Sequence, residues 1–116
     1  MTTRTQRSLA ENVLRSLALI DATESPSADD NDYIVARYND ILAEMAEDNL
    51  AYWPADAIPL VIFEPLTLFV ALSVSMAFGI PMNGQNLEQG RMILQRRIRR
   101  HTQLRTAQMP VLVDDF

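Results

Sequence analysis

The pattern of hydrophobic and polar positions predicts four helices and no strand. A first helix is expected over residues 5–20, because apolar side chains recur there every three or four positions, as on one face of an amphipathic helix. These side chains are Leu9, Val13, Leu17 and Ile20. A second helix is predicted over 27–49, where Ser27 can act as its N-cap and acidic residues fill the first turn. We interpret those acids as helix-capping residues rather than calcium ligands, because no glycine follows at the turn position that an EF-hand loop requires.

The third and fourth predicted helices differ sharply in composition. The third begins near Pro59, runs to Phe78 and ends at Gly79, and it is apolar on nearly every side. Such a helix is either buried on every side or spans a membrane, and Pro65 within it is expected to kink or restart it. The fourth, over 85–106, is apolar on one face, weakened at its start by Gly90, and carries arginines opposite. The fold class is therefore all-α, a four-helix bundle-like single domain over 1–108 with an extended C-terminal tail over 109–116.

The composition leaves little chemistry for catalysis or metal binding. The 116 residues contain no cysteine and a single histidine, His101, and all ten basic residues are arginine. Thiolate nucleophiles, cysteine or histidine metal clusters and Schiff-base lysines are therefore excluded. We expect no enzyme activity and no cofactor. His101 lies among arginines on the predicted fourth helix and is interpreted as a solvated side chain.

Charge is separated along the chain. Between Asp21 and Glu64 there are eleven acidic residues and one base, residues 65–87 carry no charge, and six arginines follow between Arg91 and Arg105. The formal net charge of −5 argues against general coating of nucleic acid. Two surfaces of opposite charge would let identical copies meet head to tail, although both can also be ordinary solvated faces.

Four groups of residues are candidates for contacts with a partner. The basic face of the fourth helix consists of Arg96, Arg99 and Arg100, and the acidic face of the second helix consists of Asp40, Glu44, Glu47 and Asp48. Trp53, in the loop between the second and third helices, is a candidate partner anchor, or else a lid over the protein's own core. The tail is apolar enough to add to a sheet edge or fill a groove on another subunit, through Val111, Leu112, Val113 and Phe116.

The order of these segments resembles a known family. A short amphipathic helix is followed by the break Ser-Pro-Ser-Ala-Asp-Asp (25–30), the helix Ala-Arg-Tyr-Asn-Asp-Ile-Leu-Ala-Glu-Met (36–45), a Tyr-Trp loop (52–53), Ile-Pro (58–59) and an apolar helix ending in Phe-Gly (78–79). Over about Leu9 to Ile80 this is similar to the head-to-tail connector proteins of tailed bacteriophages, the adaptor or tail-accessory-factor group that also stabilises packaged DNA.

The resemblance implies a structural role without catalysis. Members of the family are helical and form a ring, typically of twelve copies, below the portal. The implied partners are other copies of this chain, the portal protein, later tail, stopper or nozzle proteins, and double-stranded DNA that passes through the channel without sequence-specific binding. The implied location is the neck of the virion, after assembly in the cytoplasm of the bacterial host. No signal peptide and no membrane contact are expected.

Three alternatives stay open from the sequence. One is a single-span membrane protein, although Leu66 to Phe78 gives only about 20 Å of helix and extension to Leu60 would bury Glu64. Another is a small helical nucleic-acid-binding module that uses the arginines, which lack interleaved aromatic residues for base stacking. A third is a regulatory or toxin-neutralising bundle.

Overall fold

The computed structural model describes residues 2–20 and 25–107, and it confirms the all-α fold class. Four helices form the domain: α1 (Gln6–Ser16), α2 (Ala28–Glu47), α3 (Leu60–Val74) and α4 (Gly84–Ala107). A 3₁₀ turn over Ser75–Phe78 extends α3. Gly79 follows it in the left-handed conformation, with φ of 77°, which any residue with a Cβ would adopt only under strain.

Local signals set the starts of the first two helices. Thr5 caps α1 by accepting a hydrogen bond from the backbone N–H of Ser8, and Ser27 caps α2 by accepting one from Asp30. The expected end of the first helix was wrong: α1 ends at Ser16, and Ala18 turns the chain with a positive φ of 59°. Leu17 and Ile20 still pack against the core from this turn. Their apolar spacing therefore indicated that they are buried, but not that the helix continues to them.

A short strand pair corrects the expectation that the chain contains no strand. β1 (Thr3–Arg4) pairs antiparallel with β2 (Ile58–Pro59), and the backbone N–H of Leu60 also donates to the carbonyl oxygen of Thr2. Two-residue strands are too short to show an alternating pattern in a sequence. The pairing fixes the N-terminus beside the start of α3.

α3 is the central helix, and α1, α2 and α4 all pack against it. Its buried residues include Ile62, Leu66, Val70 and Val74, each 0% exposed. Its composition suggested burial on every side. The structure shows otherwise, because Leu60, Val61 and Leu68 are about half exposed. Its outward stripe therefore remains apolar at the surface of a single chain.

Gly90 allows α3 and α4 to approach closely. It is buried, and a Cβ at this position would lie 3.1 Å from a terminal methyl of Leu72 and 3.9 Å from the ring of Phe69. The sequence indicated only that glycine weakens the start of the helix. The structure shows that the missing side chain lets the two helix backbones come together.

Candidate interaction surfaces

The arginine face of α4 is exposed and unpaired in the part of the chain that the structure describes. Arg96, Arg99 and Arg100 point away from Leu94 and Ile98, which bury α4 against the core. The ion pairs between described residues join Arg15 to Glu11 and Arg91 to Glu88, and none involves this face. The guanidinium groups therefore remain free to meet carboxylates from outside the domain.

The acidic face of α2 is likewise exposed. Asp40, Glu44 and Glu47 are spaced four and three residues apart, which places them within about 60° of one another around the helix. They lie on the side turned away from Tyr38 and Ile41, and within residues 2–20 and 25–107 no ion pair involves them. Both charged faces thus belong to one domain and lie on different helices packed on α3.

Asp48 lies one turn after Glu44, at the C-terminal end of the acidic face, and its backbone N–H donates to the carbonyl oxygen of Glu44 over 3.3 Å. It follows the end of α2 and lines a surface groove with Leu50, Ile98 and Arg99. The structure therefore brings Asp48 to the border of the arginine face.

Trp53 lies in the core, so the structure supports its interpretation as a lid over the protein's own core rather than as a partner anchor. Its side chain is only 6% exposed, and its Nε1–H donates to the hydroxyl oxygen of Tyr38 over 3.1 Å. The Tyr38 hydroxyl donates in turn to the carbonyl oxygen of Ala55 over 2.8 Å. Burial raises the pKa of Tyr38 to about 12, because the phenolate would lose its hydration. Trp53 therefore cannot serve as a surface anchor in this conformation.

His101 is half-buried, which corrects its interpretation as a solvated side chain. Its Nδ1 is hydrogen-bonded to the Tyr52 hydroxyl, and the two rings stack with their centroids 5.8 Å apart. Tyr52 also meets the edge of Trp53, with ring centroids 5.2 Å apart. The loop that carries both aromatic residues is thereby attached to α4.

A cleft between α3 and α4 was not predicted from the sequence. It has a volume of about 250 Å³ and is lined by Val61, Arg97, Arg100 and His101. Arg97 Nη1 donates to the carbonyl oxygen of Val61 over 3.0 Å, which positions the guanidinium at the edge of the cleft. The sequence contains one signal for this contact. Pro65 has no backbone N–H, so the carbonyl oxygen of Val61, four residues earlier, lacks its helical donor and can accept from another group.

Apolar side chains extend this cleft into a strip on the surface. Gly90 lies against Leu72, and Arg97 contacts Val61, so α3 and α4 run antiparallel. Ile93 lies between Gly90 and Arg97 along α4, and it is therefore at the same height as the middle of α3. Val61 and Leu68 share the outward face of α3 because they are seven residues apart. Each is 45% or 46% exposed, as is Ile93. We call Val61, Leu68 and Ile93 the apolar strip.

The remaining candidates concern the tail and the membrane. The predicted docking residues Val111, Leu112, Val113 and Phe116 lie outside the described residues. Among the residues that are described, no group of three or more metal-ligating side chains is found. The segment Leu60–Phe78 is long and apolar enough to cross a membrane, with a mean hydropathy of 2.0, and half of it is buried within the domain.

Comparison with known proteins yields no match. No protein family, curated protein or solved structure is significantly similar to this chain.

Proposed function

We propose that this chain is a structural connector subunit whose copies close into a ring at the neck of a tailed bacteriophage. In this role it binds the portal protein on one side and later tail proteins on the other, and packaged double-stranded DNA passes through the ring. The resemblance in segment order between Leu9 and Ile80 supports the family. The proposal includes no catalytic step.

One observation carries the self-association: exposed charges of opposite sign on two helices of the same domain, for which the described residues provide no ion-pair partner. Arg96, Arg99 and Arg100 extend from α4, and Asp40, Glu44 and Glu47 extend from α2. Contacts between identical subunits close into a ring only when two unlike surfaces of each subunit match. Arginine suits such contacts, because its planar guanidinium binds a carboxylate through two parallel hydrogen bonds.

The test is a charge exchange between two variants. One variant carries Arg96→Glu, Arg99→Glu and Arg100→Glu, and the other carries Asp40→Arg, Glu44→Arg and Glu47→Arg. We expect the parent protein to form a ring in native mass spectrometry, with or without the portal protein. Each variant alone is expected to remain monomeric, because both of its faces then carry the same sign. An equimolar mixture is expected to assemble again.

The matched control is Arg7→Glu, which reverses an exposed charge on α1 outside both faces and is expected to leave assembly unchanged. The proposal is contradicted if the parent chain stays monomeric with portal protein present, or if the mixture of variants does not assemble.

A nucleic-acid-binding module is the second candidate that the exposed arginines favour. It predicts salt-sensitive binding of the parent protein to short duplex DNA, because counterions are released from the phosphates. The arginine-reversed variant would then lose DNA binding while its state of association stayed the same. The acid-reversed variant would keep or strengthen that binding, which separates this function from ring formation.

A membrane-spanning function is favoured by a different observation, the apolar segment Leu60–Phe78. Insertion would remove from the core residues such as Ile62, Leu66 and Val70, which are fully buried against the other helices. Flotation of the expressed chain with lipid vesicles on a density gradient tests it. Recovery of the chain with the vesicles supports insertion, and recovery in the soluble fraction contradicts it.

A further inference from the structure

We propose that the cleft between α3 and α4, with its apolar strip, binds the C-terminal segment of a neighbouring copy. The occupant is residues 109–116 of that copy, which combine the apolar run Val111–Val113 with Asp114 and Asp115. This inference deepens the proposed function, because it names a second contact between the copies of the ring.

The chemistry of the site matches that of the segment. Val61, Leu68 and Ile93 provide about half-exposed apolar surface, and Arg97 and Arg100 line the cleft beside it. An apolar run followed by carboxylates would bury its aliphatic side chains on the strip and place its charges near the guanidinium groups. Two copies of the strip facing each other would instead bring like charges together, which costs free energy.

The length of the chain argues that the segment binds in trans. From Ile93 to Ala107, the last residue of α4, the helix extends about 21 Å away from the strip. Val111 is four residues beyond Ala107, so its Cα lies at most roughly 14 Å from the end of α4. Val113, six residues beyond Ala107, can reach at most roughly 21 Å. A tail that ran back along its own α4 could therefore reach the cleft beside Arg100, but it would arrive at the level of Ile93 only if no residue were used for the turn. A neighbouring copy can present the same residues without this limit.

Single-cysteine variants test the contact directly, because the chain has no cysteine of its own. Leu68→Cys marks the strip, and Leu112→Cys marks the tail. Leu68 is 46% exposed, so its substitution leaves the core intact. After the two full-length variants are mixed and oxidised, we expect a disulfide-linked heterodimer that joins positions 68 and 112. Met76→Cys is the matched control. Met76 is 67% exposed and lies in the 3₁₀ turn after α3, eight residues beyond Leu68.

The outcomes separate the alternatives. Crosslinking of 68 to 112 that is at least tenfold faster than that of 76 to 112 supports the proposal, and equal rates contradict it. A chain that carries both Leu68→Cys and Leu112→Cys should form intermolecular bonds. Only intramolecular bonds would mean that the tail folds back on its own chain, which also contradicts the proposal.

The same crosslink distinguishes this inference from the charge contact of the proposed ring. Repeating the experiment with Arg96→Glu and Arg99→Glu in both partners removes that charge contact and leaves the strip unchanged. A retained crosslink together with the loss of ring assembly supports both contacts, whereas ring assembly that persists in this background contradicts only the assignment of the arginine face. Ring assembly by the parent protein without any preferred crosslink contradicts only the assignment of the tail.

Discussion

Arg97 and Pro65 are linked through the carbonyl oxygen of Val61. In a regular α-helix this carbonyl would accept a hydrogen bond from the backbone N–H of residue 65, which proline lacks. The guanidinium of Arg97 donates to the same oxygen over 3.0 Å, from the neighbouring helix α4. α3 continues through Pro65 as one helix from Leu60 to Val74, without the break that its sequence predicted. The contact also holds Arg97 at the edge of the proposed docking cleft.

A double-mutant cycle should measure this link. Arg97→Met keeps the aliphatic stem and removes the donor, and we expect it to lower the free energy of unfolding by about 1 kcal/mol. In a Pro65→Ala background the restored N–H can bond to Val61, so the cost of Arg97→Met should fall close to zero. Urea unfolding of the four proteins gives the coupling energy. Equal costs in both backgrounds would refute the compensation.

Tyr38 should make stability depend on alkaline pH. Its pKa is raised to about 12 by burial in the folded state, whereas an unfolded tyrosine titrates near 10. Between these two values the unfolded chain loses its proton first, so the free energy of unfolding should fall as the pH rises from about 10 to about 12. Below pH 10 the contribution of Tyr38 to the free energy of unfolding is fully present. Above pH 12 Tyr38 should cause no further decrease in that free energy.

Tyr38→Phe is the control for that pH dependence. The free energy of unfolding of this variant should lack the alkaline decrease that is due to Tyr38. At neutral pH it should cost about 1–3 kcal/mol, because the Trp53 Nε1–H and the Ala55 carbonyl lose their hydroxyl partner. Urea unfolding between pH 7 and 12 measures both effects. Parallel curves for the two proteins would contradict the assignment.

Gly90 should tolerate one methyl group and no more. In Gly90→Ala the new Cβ meets the end of the half-buried Leu72 side chain, which can move aside. We therefore expect it to keep part of the gain of about 1 kcal/mol that alanine has over glycine in a helix. Gly90→Leu has a comparable helix propensity but should destabilise the domain by at least 2 kcal/mol, because it separates α3 from α4. Thermal unfolding of both variants is the measurement, and a stable Gly90→Leu protein would refute close packing here.

The N-cap of α2 should contribute measurably to stability. Ser27→Ala removes the hydroxyl that accepts from the N–H of Asp30 over 3.2 Å, and the expected cost is about 1 kcal/mol. Ser25→Ala, two residues earlier at an exposed position outside the helix, is the matched control and should change stability little. Urea midpoints compare the two. A similar effect of both substitutions would show that the cap is not responsible.

The sequence predicted the helices well because their signals are local. Ser27, Gly79 and the apolar spacing of α1 and α2 act on their own neighbours in the chain. The exposure of Arg96, Arg99 and Arg100 also follows from helical spacing alone. The half-buried state of His101 could not be predicted, because its partner Tyr52 is 49 positions away.

The sequence by itself determined that this chain folds into four helices, where most of them begin and end, and that charges of opposite sign are carried by different helices. Tertiary structure alone decided that Trp53 lies inside the core, that Asp48 and Arg99 line the same surface groove, and that Gly90 brings α3 and α4 together. It also decided that Arg97 replaces the donor that Pro65 lacks. The physical reason is that capping and periodicity act over a few residues, whereas burial and side-chain partners depend on which distant segments pack against each other.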